Sequence, residues 1–163
     1  MSQEFGTYVK AVMERAADEA QRAGAAAIEA EHLLLAMAAE PESTTRRLLD
    51  SAGLDHRAIR DALDEEFRRS LSAAGVIVDD RELPPPSRSP RRPSRIGASG
   101  KLVLERGVAA VAHKKDLRPA HLLLGVLRLN AGTVPRALAL AGVDRNDLTA
   151  RVRRSLPGEA GQR

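Results

Sequence analysis

An all-α fold made of two four-helix copies is what this 163-residue sequence predicts, on three observations. Alanine and leucine, both strong helix formers, dominate the composition, and aromatic residues are only 2% of it. Apolar residues recur at spacings of three and four, the period of a helix with one buried face. The chain also repeats itself at a constant offset of 89. His32-Leu33-Leu34-Leu35 returns as His121-Leu122-Leu123-Leu124. Thr44, Arg47 and Leu49 return as Thr133, Arg136 and Leu138, Ala52-Gly53 as Ala141-Gly142, and Asp55 as Asp144. The apolar series Ile59, Leu63, Phe67 becomes Leu148, Val152, Leu156.

The first helix of copy one carries Val9, Val12, Met13, Ala16, Ala20 and Ala23 on one face and stops at Gly24. The second holds Leu33, Leu34, Met37 and Ala38 and ends near Pro41. A short third helix runs from Thr44 to Ala52, with Gly53 placed for a left-handed cap. Asp55 sits where an N-cap belongs and opens a fourth helix through Ile59, Leu63 and Phe67. Copy two repeats the pattern. Leu104, Val108 and Val111 mark its first helix, and Pro119 stands at the start of the second, where its missing N–H costs nothing. Thr133 and Pro135 open the third, Gly142 closes it, and Asp144 caps the fourth with Asp147 in its first turn.

The segment 84–95 reads PPPSRSPRRPSR. Clustered proline forbids a helix, and the polar remainder cannot form a core. The organisation predicted is repeat one over 1–71, a solvated Arg/Pro-rich linker over 72–98, repeat two over 99–156 and a frayed tail over 157–163. A short extended piece is expected at Val76-Ile77-Val78.

Several functional classes are excluded. The absence of cysteine removes disulfides, thiolate nucleophiles and Cys-based metal sites. No phosphate-loop motif is complete: Gly97-Ala98-Ser99-Gly100-Lys101-Leu102 has its glycines too close and Leu102 where Ser or Thr must stand. There is no G-x-S-x-G elbow and no H-E-x-x-H among His32, His56, His113 and His121. No signal peptide or membrane span is seen, so a cytoplasmic protein without membrane partners, metal or cofactor is expected. His32 and His121 recur at the repeat offset ahead of apolar helices, which suits a shared structural role, as do Gly53 and Gly142.

The net charge of +4 conceals a split: residues 1–80 carry 9 basic and 16 acidic residues, and residues 81–163 carry 17 and 6. Attraction between oppositely charged copies, or two different partner faces, explains it better than one nucleic-acid patch. Arg88, Arg91, Arg92 and Arg95 in the linker are candidate contacts to an acidic partner. With the basic second repeat, they also define an alternative reading, a nucleic-acid-associated regulator. Ser87, Ser89 and Ser94 lie among them as candidate phosphorylation sites.

The order of elements resembles the Clp N-terminal domain, the double-repeat substrate-receptor domain of ClpA- and ClpC-type AAA+ unfoldases, here free-standing. The resemblance rests on Glu29-Ala30-Glu31-His32-Leu33-Leu34-Leu35-Ala36-Met37 against the family's G-T-E-H-L-L-L-G-L-L. It rests equally on Pro119-Ala120-His121-Leu122-Leu123-Leu124-Gly125-Val126-Leu127 and on the A-G-L-D and A-G-V-D helix ends. It implies two four-helix repeats related by a pseudo-twofold axis and a non-enzymatic module that binds protein substrates, a Clp ATPase or an adaptor. It further implies an adaptor, competitor or decoy in Clp-dependent proteolysis, with cyclic-peptide natural products as small-molecule ligands. The family's phosphoarginine pocket pairs the glutamate of G-T-E-H with a threonine near the first helix start. Carried over, the glutamate is Glu31 and the threonine position falls on Gly6, beside Thr7 and Phe5. In copy two the glutamate position is Ala120, and the threonine position falls near Arg95 to Ala98, where no threonine stands.

Overall fold

The computed structural model describes residues 2–77 and 84–158. It is all-helical: α1 (Gln3–Arg22), α2 (Ala30–Ala39), α3 (Thr44–Ser51), α4 (His56–Ala73), α5 (Ala98–Val108), α6 (Pro119–Leu127), α7 (Thr133–Leu140) and α8 (Arg145–Arg154). A single 3-10 turn at Lys114–Asp116 precedes α6. Among the described residues the one β-like contact is a parallel bridge between Ile28 and Ile96. Val76 and Ile77 form no strand, and Val78 lies outside the described residues.

Local chemistry starts and stops these helices. Ser2, Ser43, Asp55 and Asp144 each accept a backbone N–H from three residues on, at 2.7–3.2 Å. That satisfies one donor a helix start otherwise leaves open. The α3 and α7 ends are twins. Gly53 and Gly142 both adopt φ 73°, a conformation only glycine takes without strain. The following N–H then folds back, Leu54 to the Leu49 carbonyl at 2.8 Å and Val143 to the Leu138 carbonyl at 3.1 Å.

The middle of the molecule is α2 and α6. Leu33, Leu34, Met37, Leu122, Leu123 and Leu124 are fully buried and share one core with residues of all the other helices. Helix α6 packs on α5 so closely that a Cβ on Gly125 would stand 2.1 Å from the Val103 carbonyl oxygen. The buried stripe of α5 is accordingly Gly100, Val103 and Gly107. The predicted stripe of Leu104, Val108 and Val111 is only partly buried. A face made of glycine buries backbone, which a count of apolar residues does not register.

Two expectations are corrected here. Phe67 does not continue the buried face of α4: it is 54% exposed, and Glu66 is buried in its place. The inward positions are Ile59, Leu63 and Glu66, closer to the 3.6-residue period than a strict step of four. The linker, expected to be solvated, is docked on α1 over residues 87–96. Ser89 donates its N–H to the Gln21 carbonyl at 2.9 Å, and the Gln21 amide nitrogen returns a bond to the Ser89 carbonyl at 3.1 Å. Arg92 pairs with Asp18 at 2.9 Å and donates to the Glu14 carbonyl at 2.6 Å. The chain then enters the Ile28 bridge, with Ile28 N–H on the Arg95 carbonyl at 2.8 Å and Gly97 N–H on the Ile28 carbonyl at 2.9 Å. Proline prevents helix but not docking: an extended strand can satisfy its polar groups on a neighbour. Of the tail, Pro157 and Gly158 are described, and the rest lies outside the described residues.

Candidate functional site

Each copy's second helix starts against the first helix of the other copy. Before α2, the Glu29 carboxylate lies over Gly97, where no side chain intervenes, and reaches the α5 start. Its Oε2 accepts the Ser99 hydroxyl at 2.5 Å and the Ser99 N–H at 3.1 Å. Ser99 Oγ in turn accepts the Ala30 N–H at 2.9 Å. Glu29 is therefore an internal anion at the N-terminus of α5, where the helix dipole and open N–H groups favour negative charge. On the opposite side, Ser2 Oγ at the α1 start donates to the Leu117 carbonyl before α6 at 2.6 Å.

His32 and His121 are buried in the first turns of α2 and α6. His32 Nδ1 accepts the Glu29 N–H at 2.9 Å, and His121 Nδ1 accepts the Arg118 N–H at 2.8 Å. The bond places the ring proton on Nε2 and makes histidine the reaching-back residue of a helix-start box that Glu or Gln usually fills. Burial pushes the His32 pKa down, against smaller upward effects of Glu29 and Glu19.

Glu31 is half-buried in the first turn of α2. Burial raises its pKa, an effect its own backbone bond reduces and the charges of Glu29 and Glu66 increase. Glu66 comes from α4 and is only 5% exposed. It accepts Arg136 Nε of α7 at 2.8 Å and the Ser70 hydroxyl at 2.7 Å. Glu31 thus stands in a negatively charged corner, within reach of the charges of Glu29, which Ser99 holds, and Glu66, which Arg136 holds. Such a corner favours a cation near Glu31 and disfavours a phosphate.

The structure does not bring Thr7 and Glu31 together. Glu31 begins α2, whereas Thr7 is exposed near its far end, lining a shallow groove of about 540 Å³ with Tyr8, Glu40, Ser43, Thr44 and Pro119. The length of α2, about 15 Å, separates them. Phe5 is core, and Gly6 is half-buried beside it. The gapless offset of 89 also fails at the first helices. From Gln3 to Ala30 is 27 positions, but from Ala98 to Pro119 only 21, because α5 is shorter than α1. Counted from helix starts, Gly6 and Thr7 match Lys101 and Leu102, and Leu102 is 39% exposed. The residues that sequence reasoning missed are Glu29, Ser99 and Glu66. The signal for Glu29 was present as a carboxylate in place of the family's glycine, but its partner is 70 residues away.

All four linker arginines are exposed. Arg88 nevertheless donates to the Gln21 side chain at 3.2 Å, and Arg92 to Asp18 and the Glu14 carbonyl. Among the described residues no group of three or more His, Asp or Glu could hold a metal ion, and no helix is long and apolar enough to cross a membrane.

Comparison with known proteins adds three findings. The family model for the Clp repeat N-terminal domain matches residues 4–89. Among solved structures, the chain is similar to the N-terminal domain of the caseinolytic protease associated chaperone ClpD from Arabidopsis thaliana. That match has a TM-score of 0.62 and 23% identity over 92% of each chain, a likeness of fold. No curated protein matches the chain.

Proposed function

Because this chain belongs to the Clp repeat N-terminal domain family, we propose that it is a non-enzymatic receptor for protein segments and that its Glu29–Glu31 corner takes an arginine side chain. In this reading the module serves Clp-dependent proteolysis as adaptor, competitor or decoy, and its ligands are protein substrates, an adaptor or the ATPase itself. The observation that carries the site is the half-buried Glu31 in the first turn of α2, two residues after the Glu29 carboxylate anchored on Ser99 and under the added charge of Glu66. A guanidinium relieves that crowding through charge-assisted hydrogen bonds. An unmodified arginine fits better than phosphoarginine. The α5 start, the natural cradle for a phosphate, already accommodates the Glu29 carboxylate, and a second anion meets like charge there. In copy two the equivalent positions are Arg118 and Ala120, so the module has one such corner.

Titration with an arginine-containing peptide and with its phosphoarginine counterpart, followed by NMR, tests the corner. The unmodified peptide is expected to shift Glu31 and Ser99 and to lose most of its affinity in Glu31→Gln. Tighter binding of the phosphorylated peptide, or shifts centred on Thr7, would overturn the assignment. The broader role is tested by pull-down against the cognate Clp ATPase, its adaptors and trapped substrates. No enrichment over a surface-charge-scrambled control refutes it.

A further inference from the structure

We infer that Ser94 is a phosphorylation site for a basic-directed serine/threonine kinase, and that its modification loosens the docked linker beside the candidate site. Arg91 and Arg92 stand three and two residues before Ser94, and Arg95 follows it. A kinase that selects arginines at those positions finds the hydroxyl exposed on a non-helical segment, the form such enzymes bind. The other two linker serines differ. Ser87 has prolines, not arginines, at the second and third positions before it, and Ser89 is half-buried with its backbone bonded both ways to Gln21.

The reaction needs a nucleoside triphosphate and the separate kinase. Ser94 Oγ attacks the γ-phosphorus, the bond to the β,γ-bridging oxygen breaks, and the nucleoside diphosphate leaves. The hydroxyl proton passes to the kinase's base. The product carries a charge near −2 and three strong acceptors among Arg91, Arg92 and Arg95. Arg92 is the arginine that fastens the linker, through Asp18 and the Glu14 carbonyl. A dianion two residues away competes with Asp18 for it. The adjacent carbonyl, that of Arg95, holds the Ile28 N–H, and Glu29 comes next in the chain. The modification therefore acts on the segment that seats Glu29 against Ser99.

The test uses the full chain, ATP and a kinase selecting arginine at the second and third positions before serine. Fragment mass spectrometry is expected to place one phosphoryl group on Ser94 and none in Ser94→Ala. Hydrogen exchange at the Ser89 and Ile28 amides should then quicken roughly two- to fivefold, the range for an exposed ion pair lost. Arg92→Ala should quicken the same two amides without phosphate. No transfer to Ser94, transfer undiminished in Ser94→Ala, or phosphorylation with unchanged exchange at both amides would each overturn the proposal.

Discussion

Removing Arg136 should weaken the joint between the two copies, and the size of the effect can be worked from the structure. The side chain of Glu66 is 7% exposed and that of Arg136 58%, at 2.8 Å. Breaking a fully buried pair costs about 3–5 kcal/mol, and an exposed one contributes about 0.2–1. With one partner in each class and Ser70 still donating to Glu66, Arg136→Ala should cost about 2 kcal/mol. In a chain of this size that lowers the melting temperature by roughly 4–8 °C. Glu66→Gln, which keeps the volume and the acceptor, should cost less. The double variant should recover about 1–2 kcal/mol of coupling, read from urea unfolding of all four proteins. The negative first copy and the positive second copy meet, helix to helix, at this pair. Coupling below about 0.3 kcal/mol, within the error of additivity, would refute that meaning for the charge split.

Glu31→Gln should stabilise the fold at pH 7. The native carboxyl is pushed up by burial and by Glu29 and Glu66, so its ionisation weakens the fold as pH rises above the ordinary value of 4.5. The gain should vanish below about pH 4.5 when unfolding is compared across pH. His32 has the opposite sign. Burial holds it below 6.5, so its neutral form supports the fold fully above that value and the contribution falls away as pH drops below it. In His32→Ala that acid limb should flatten, and the unpaired Glu29 N–H should cost about 1–3 kcal/mol at neutral pH by denaturant titration. Tyr8, the single tyrosine, is raised from 10.0 to about 12 chiefly by burial, against the lowering hydrogen bond of Thr45. Phenolate absorbance should therefore rise with a midpoint near 12, and one near 10 would place the hydroxyl in solvent. Gly125→Ala should cost about 1–3 kcal/mol by overpacking α5 against α6, measured by thermal unfolding.

Much of the fold was legible because its signals are local. Asp55 and Asp144 cap the residues that follow them, and Gly53 and Gly142 end helices through bonds spanning five residues. The repeat marks the two histidines as a pair, and both accept a backbone N–H through Nδ1. The candidate site was legible only in part. Glu31 was singled out, but matched with Thr7 of its own copy, because a single chain gives no sign that the copies exchange helix starts. The position equivalent to Gly6 was put near Arg95 to Ala98 and not at Lys101, since a gapless offset does not register that α5 is shorter than α1.

Helix content and order follow from spacings of a few residues and from self-similarity, and the family from the resemblance of the two His-Leu-Leu-Leu segments to its motif. Tertiary structure decided the rest. It turned Phe67 out and Glu66 in, because Arg136 of the other copy gives the carboxylate a partner. It laid a proline-rich linker along α1, because Gln21, Glu14 and Asp18 receive its polar groups. It set the Glu29 carboxylate on Ser99 and left Glu31 crowded beside it. Charge and hydrogen-bond energies depend on distance through space, and sequence separation does not encode that distance.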